Sequence, residues 1–230
     1  MCFAPQADLV AGVVVTAIGV DTLRRTTRSE LLPLAALPLV FGVHQLVETL
    51  VWWHLRGNVS SCVGKPAAWI YAMIALSVVP VLVPFAFVRA GAIRSVRVGW
   101  ALVGAGVVSG GILLLTLIFG HMHPTIDGHH INYHVGTPVV PFTLGLYIIA
   151  TCAPGLLSNT TTLRIFGVAN AVVVAFLIWL AQSAVVSLWC VWAAVSSVLI
   201  NLYVRRRQGS EARSARTSTA GKTAGVLQEP

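Results

Sequence analysis

Two residues that can carry charge lie four positions apart inside a long apolar run. They are His44 and Glu48, in the segment Val43-His-Gln-Leu-Val-Glu48. In a helix this spacing places both side chains on one face. A buried carboxylate costs free energy unless it is paired or has a function, so the pair predicts one of two roles. Either a Glu–His hydrogen bond stabilises the packing, or the two residues bind a metal or handle a proton.

A second group of candidate ligands lies in a polar stretch later in the chain. This stretch holds five of the seven histidines, together with Asp127. Imidazole and carboxylate groups are ligands of zinc, copper and iron. The five histidines are His121, His123, His129, His130 and His134. Their spacing matches no fixed metal motif, so a histidine-rich loop that binds no metal stays an alternative.

The composition indicates that membrane-spanning helices position these residues. The chain is 57% hydrophobic and 10% charged, with a mean hydropathy of +0.84, whereas charged residues make up roughly a quarter of a soluble domain. A span needs about 20 largely apolar residues. We therefore predict an all-α fold, a polytopic transmembrane helix bundle with about seven spans. The predicted spans are 8–23, 32–54, 67–88, 97–119, 138–157, 163–182 and 185–203.

The basic residues predict how this bundle is oriented. Ten arginines fall in the odd-numbered connections or directly after the last span, at Arg205–Arg207, whereas the N-terminus and the even-numbered connections hold only Arg56 and Lys65. Because cytoplasmic connections are enriched in basic residues, we predict an N-terminus outside and a C-terminus in the cytoplasm. This accounts for the net charge of +8 without nucleic acid as a partner. We predict a transmembrane domain over 1–207 and a disordered cytoplasmic tail over 208–230, in the plasma (inner) membrane.

This topology places the candidate groups in the outer half of the membrane. His44 is predicted near the middle, Glu48 about 6 Å further out, and His54 at the outer interface. The histidine-rich stretch lies on the same side. Glu48 is the only carboxylate predicted deep in a span.

Three cysteines are predicted on the outer side as well. Cys2 precedes the first span, Cys62 lies in the second connection, and Cys190 lies in the outer third of the seventh span. Disulfides persist on an oxidising side, so one prediction is a bridge from Cys2 to Cys62 or Cys190. The alternative is that these thiolates bind a soft metal. Cys152 is predicted to be a small buried residue.

Three segments resemble an uncharacterised bacterial family of small polytopic membrane proteins. They are the opening Met1-Cys-Phe-Ala4, the motif Gln45-x-x-Glu48 with Trp52 after it, and the late run from Phe166 to Ala194. The resemblance covers residues 1–204. Members of the family typically begin Met-Cys-Phe-Ser-Ala, and this chain has Ala4-Pro5 in place of Ser-Ala. The resemblance implies that Cys2, Glu48, Trp189 and Cys190 lie in recurrent motifs, and it implies no function.

Two classes of function follow from the sequence. In the first, an outer site binds zinc, copper or iron and acts on a membrane-soluble substrate, with Glu48 as the general base. Its predicted ligands are Cys2, His44, Glu48, His54, His121, His123, His129, His130, His134 and Cys190. In the second, the protein is a transporter, a sensor or a subunit of a membrane complex, and Glu48 is a proton or ion site.

The surroundings and some exclusions are also predicted. We expect the lipid bilayer around the chain, and a membrane protein or a second copy of the chain as a partner. A retinal protein is not expected, because the only lysines, Lys65 and Lys222, are predicted outside the spans and would offer no Schiff base.

Overall fold

A computed structural model describes residues 5–120, 122–128, 130–135, 141–180 and 194–209. Most of these residues are helical. The helices are α1 (Pro5–Arg25), α2 (Leu32–Leu55), α3 (Ser61–Met73), α4 (Val79–Arg89), α5 (Val96–Phe119), α6 (Pro141–Leu156), α7 (Thr161–Leu180) and α8 (194–209). A 3-10 turn (Ser29–Leu31) precedes α2, and a π turn (Ile74–Val78) joins α3 directly to α4. Two strands, β1 (Met122–Asp127) and β2 (His130–Val135), follow α5.

Four helical segments are long and apolar enough to cross a membrane. They are Pro5–Arg25, Ser29–Leu55, Ser61–Arg89 and Val96–Phe119, and they match the first four predicted spans. The third begins at Ser61, whereas the sequence predicted a connection as far as Pro66. The helices α6 and α7 coincide with the next two predicted spans, and α8 overlaps the end of the last one. The turn predicted near Gln182 lies outside the described residues.

Glycines set the distance between α1 and α2. A Cβ atom built at Gly42 would lie only 2.4 Å from the backbone nitrogen of Thr16. Close approach of this kind is how small residues pack helices inside membranes, where lipid gives no hydrophobic drive for association. The three contacts that define the antiparallel register are Gly12 with Leu46, Thr16 with Gly42, and Gly19 with Leu39.

Prolines alter the backbone hydrogen bonding between α3 and α4. Pro80 in the first turn of α4 has no backbone N–H, and the five-residue π turn ends two residues before it. The carbonyl of Ala75 in this turn accepts a hydrogen bond from the Tyr147 hydroxyl of α6 at 2.9 Å. On α5, Gly106 lets the backbone approach the Pro80 carbonyl. A polar side chain from another helix therefore supplies a hydrogen bond to one of the backbone carbonyls of the turn.

The helix ends that carry the arginines meet at one end of the molecule. Arg205 of α8 forms an ion pair with Asp21 of α1 at 2.5 Å. The Arg207 guanidinium donates to the Ala90 carbonyl at 2.7 Å, after the end of α4. The backbone N–H of Asn159, between α6 and α7, donates to the Ala92 carbonyl at 2.8 Å. The ten arginines assigned to one side by their sequence positions thus belong to a single end of the bundle.

The histidine-rich stretch contains a β-hairpin and is therefore not a plain loop. Strands β1 and β2 pair antiparallel, and the turn between them includes Gly128 with a φ of 56°. One set of alternate residues is largely apolar, namely Met122, Pro124, Ile126, Ile131, Tyr133 and Val135. Ile131 is buried, and it packs with Trp52 of α2 and Ala68 of α3. The hairpin thus adds a small sheet to a fold that the sequence predicted as all-α.

Candidate functional site

A layer of buried polar side chains lies where α1 begins and α2 approaches its end. It consists of Asp8, His44, Gln45, Glu48 and Thr49, and we call it the polar layer. His44 is 8% exposed and each of the other four is at most 1% exposed. So many polar groups within an apolar helix pair cost free energy, which marks the layer as the best candidate for function.

The helix register places the two carboxylates of the polar layer at one depth. Asp8 lies four residues before Gly12. In the antiparallel register it therefore lies beside Leu50 of α2, which is four residues after Leu46. Glu48 is two residues from Leu50, which corresponds to about 3 Å along the helix axis. It lies about 200° around α2 from Leu46, which faces α1. Asp8 and Glu48 therefore share a depth, but Glu48 lies on the side of α2 away from α1.

The acidic and amide groups of the layer are engaged with other groups. Asp8, Gln45 and Glu48 each have a hydrogen-bonding or electrostatic interaction. The Thr49 hydroxyl donates to the Gln45 carbonyl at 3.1 Å. The layer combines carboxylate, amide and hydroxyl oxygens, and these are the groups that hold a proton or a hard cation.

The imidazole of His44 is fixed against α3. Its Nε2 lies 3.1 Å from the backbone carbonyl of Tyr71. Because a carbonyl can only accept, Nε2 carries the hydrogen, and in the neutral ring the lone pair is on Nδ1. The ring also stacks on Tyr71 at 4.0 Å between centroids, and Tyr71 stacks on Tyr133 of the hairpin at 4.8 Å. An aromatic stack thus connects the polar layer to the hairpin.

His54 is held at the turn between α2 and α3, apart from this stack. Its Nδ1 lies 3.1 Å from the Val59 carbonyl. The backbone of α3 packs directly on its ring, because a Cβ at Gly64 would lie 1.9 Å from the ring Cγ. These contacts give His54 a role in joining the two helices.

The hairpin pairs residues that were predicted as metal ligands. His123 is the direct Cα partner of His134, and Asp127 is the direct partner of His130. Residues opposite each other in an antiparallel pair have Cβ atoms about 4.5–5.5 Å apart and share a face. The side chains of His123 and Asp127 are exposed. The register therefore makes His123 and His134, and Asp127 and His130, two backbone pairs at alternate positions of the hairpin.

The single metal site predicted to join these groups is not assembled within the described part of the chain. No group of three or more histidine, cysteine, aspartate or glutamate side chains there has the geometry to hold a metal ion. His44 and Glu48 belong to the polar layer, while His54 and the hairpin pairs lie elsewhere. The predicted ligands Cys2, His121, His129 and Cys190, and the side chains of His130 and His134, lie outside the described part of the structure.

The cysteine predictions are tested in part. Cys152 is buried, as predicted, and Asn170 donates to its sulfur at 3.4 Å. Cys62 is an exposed free thiol among the described residues. The proposed bridges involve Cys2 and Cys190, which fall outside those residues, so the bridges remain predictions.

Comparison with known proteins places this chain in a family. The family model described as a family of unknown function, DUF6629, matches residues 1–216. The chain belongs to this family. No curated protein and no solved structure matches it. The resemblance to an uncharacterised family is therefore confirmed, and the DUF6629 match includes the polar layer, the hairpin and α8.

Sequence reasoning overlooked Asp8, the second carboxylate of the polar layer. Asp8 stands at the edge of its apolar run, where a charged residue usually faces water. A signal was nevertheless present, because Asp8, Gly12, Val15 and Gly19 recur every three or four residues along α1. This is the spacing of a single buried helix face. All four residues are buried in the structure.

Proposed function

We propose that this DUF6629 member is a multi-pass protein of the plasma (inner) membrane with about seven spans, an outer N-terminus and a cytoplasmic C-terminus. In this topology residues 1–207 form the transmembrane domain and 208–230 a cytoplasmic tail; α8 continues to residue 209, and residues 210–230, for which the sequence predicted disorder, lie outside the described residues. The convergence of the ten arginines at one end supports the proposal, because basic residues are concentrated on the cytoplasmic side. The polar layer then lies in the outer half of the membrane.

The function that the geometry supports best is a proton or cation site at the polar layer. The observation that carries this proposal is the burial of two carboxylates, Asp8 and Glu48, at one depth of an apolar helix pair. A negative charge in a low-dielectric region is poorly solvated. A proton or a bound cation relieves this cost at each carboxylate. We infer a transporter, a sensor or a subunit of a membrane complex that takes up this proton or cation.

The aromatic stack suggests how occupancy of the layer affects the outer surface. His44 is a member of the layer, and it contacts Tyr71, which contacts Tyr133 of the hairpin. A change of charge beside His44 alters the electrostatic field at one end of this stack. We expect the hairpin to respond through Tyr133.

Infrared titration of the purified protein in lipid nanodiscs tests the proposal. The variants are Asp8→Asn and Glu48→Gln, which keep the shape of each side chain and remove its charge. The control is Asp21→Asn, at the other end of α1, where the carboxylate pairs with Arg25 and Arg205. Wild-type protein should show an infrared band from a protonated carboxylic acid, or should be stabilised by Na⁺, K⁺, Mg²⁺ or Ca²⁺. Both layer variants should weaken this band or this stabilisation, and the Asp21→Asn control should retain it.

One result would refute the proton or cation site. If Asp8→Asn and Glu48→Gln have the same acid band and the same response to each cation as the control, the layer binds neither. Glu48 would then be a packed residue whose role ends with its hydrogen bonding.

A metal-dependent enzyme at the outer surface is the second candidate. The observation that favours it is the pairing of His123 with His134 and of Asp127 with His130 at alternate positions of the hairpin. Zinc, copper or iron bound there would activate water or mediate redox chemistry on a membrane-soluble substrate.

Metal analysis tests this second candidate. Purified protein should retain zinc, copper or iron in a stoichiometric amount after dialysis. The double variant His123→Ala/His134→Ala should lose the metal, and the control His54→Ala should keep it. Wild-type protein that stays without metal after incubation with each of the three ions would rule out the hairpin site.

A further inference from the structure

An open cleft lies at the end of the molecule that carries the arginines. Its volume is about 690 Å³. Polar residues, one aromatic residue and one glycine line it, and the described lining includes no carboxylate. The lining residues are Gly91, Asn159, Thr160, Thr162, Tyr203, Arg206 and Arg207. We call this feature the arginine cleft.

Tertiary hydrogen bonds hold the walls of the arginine cleft. The Asn159 side-chain amide donates to the Gly91 carbonyl at 3.1 Å. The Arg207 guanidinium donates to the Tyr203 hydroxyl at 2.8 Å and also to the Ala90 carbonyl. Gly91 has a φ of 62°, a conformation that favours glycine, and it leaves the wall without a side chain there. The cleft is thus built by residues from three separate parts of the chain.

Positive charge from two kinds of source meets in the cleft. Arg206 and Arg207 contribute two guanidinium groups, and Arg206 is exposed. Thr162 lies in the first turn of α7, where backbone N–H groups and the helix dipole favour an anion. The carboxylate of Asp21, at the same end of α1, is already paired with Arg25 and Arg205. An anion with several oxygen acceptors suits this arrangement, because guanidinium groups bind phosphate through paired hydrogen bonds.

We propose that the arginine cleft binds the phosphate of an anionic phospholipid headgroup. Two exposed apolar residues next to the lining extend along the helices toward the membrane interior. Leu202 lies one turn before Arg206 on α8, and Ile165 lies three residues after Thr162 on α7. A phospholipid offers a phosphate to the cleft and acyl chains to these side chains. Basic pockets between helices at the cytoplasmic surface are known to bind such headgroups.

The general bias of arginines toward the cytoplasm does not by itself explain the cleft. That bias accounts for the end of the molecule at which the arginines lie. It does not require two of them to line a cavity beside the start of α7. A comparison of arginines inside and outside the cleft separates specific binding from diffuse attraction.

Native mass spectrometry of the full chain in detergent tests the proposal. The probes are a short-chain phosphatidylglycerol, phosphatidylcholine with matched acyl chains, and inorganic phosphate. The test variant is Arg206→Gln, and the matched control is Arg94→Gln, which removes one exposed arginine at the same end but outside the lining. Arg206→Lys shows whether a point charge is sufficient.

Phosphatidylglycerol should bind wild-type protein, and Arg206→Gln should weaken this binding about fivefold, the effect of one basic residue at a membrane surface. Arg94→Gln should leave it within twofold, and Arg206→Lys should restore part of it. Equal loss in Arg206→Gln and Arg94→Gln would overturn the cleft as the site. Equal binding of phosphatidylcholine, or of inorganic phosphate at the same concentration, would overturn the assignment to an anionic lipid.

Discussion

Substitution of Gly42 by alanine tests the close packing of α1 on α2. The added Cβ would lie 2.4 Å from the backbone nitrogen of Thr16 and 2.8 Å from its Cα. Ordinary van der Waals contacts of a Cβ atom begin at about 3.4 Å. Because the obstructing atoms belong to the backbone and cannot turn aside, the helices must separate by roughly 1 Å. Overpacking of this size costs about 1–3 kcal/mol. Alanine in a helix recovers about 0.5–1 kcal/mol relative to glycine.

The matched control is Gly111→Ala in the middle of α5. A Cβ at Gly111 meets no atom within 4 Å, so this variant should show the gain in helix propensity alone. The difference between the two variants therefore isolates the steric cost, about 1–3 kcal/mol. In a protein of this size, 1 kcal/mol corresponds to a change of about 2–4 °C in Tm.

Thermal unfolding of both variants in the same detergent gives the measurement. We expect Gly42→Ala to melt at least 2 °C below Gly111→Ala, with Gly111→Ala at or above wild type. If the Tm of Gly42→Ala equals or exceeds that of Gly111→Ala, the distance between α1 and α2 is larger than in the structure. The depth assigned to Asp8 would lose its basis as well, since it depends on this register.

Three further predictions follow from the membrane topology, the π turn and the thiols. A reporter fused after Arg207 should be cytoplasmic and one in the loop between α2 and α3 should be outside, and the reverse result would invert the proposed orientation. Tyr147→Phe removes a hydrogen bond between helices and should cost about 0.6 kcal/mol in thermal unfolding, whereas an unchanged Tm would mean that the bond to the π turn adds nothing. Non-reducing peptide mapping should show Cys2 linked to Cys62 or Cys190, and complete alkylation of all three without reductant would exclude both bridges.

Hydropathy was sufficient to locate the long helices. The predicted span 97–119 corresponds to α5 at Val96–Phe119, and 32–54 corresponds to α2 at Leu32–Leu55. These bounds follow from the apolar length of each run, which the sequence gives directly. The start of α3 at Ser61 was missed, because Gly64 and Pro66 resemble a connection and yet lie within its first two turns. Pro66 is the sixth residue of α3, beyond the four N–H groups that have no partner inside the helix, so the helix continues there with one hydrogen bond fewer.

The candidate site was predictable only in part, because it depends on contacts between distant segments. Glu48 and His44 stood out as polar residues inside an apolar run. Asp8 joins them through the α1–α2 register, which is set by glycines that hydropathy ignores. The stack of His44 on Tyr71 and Tyr133 depends on where the hairpin packs. Alternation over six residues in each strand was the available signal for that hairpin, and its many histidines obscured it.

The π turn between α3 and α4 has a consequence for insertions and deletions. A π turn contains one more residue within each hydrogen-bonded turn than an α-helix does. It therefore rotates the two halves of Ser61–Arg89 relative to each other by about 100°. With this phase, Tyr71 reaches His44 while Phe87 packs in the core near the opposite end. Deletion of one residue within Ile74–Val78 would restore a continuous α-helix and rotate Tyr71 away from His44. The extra residue therefore sets the angle between the two halves of this helix, and homologous sequences should keep the number of residues in the turn even where they change the residues themselves.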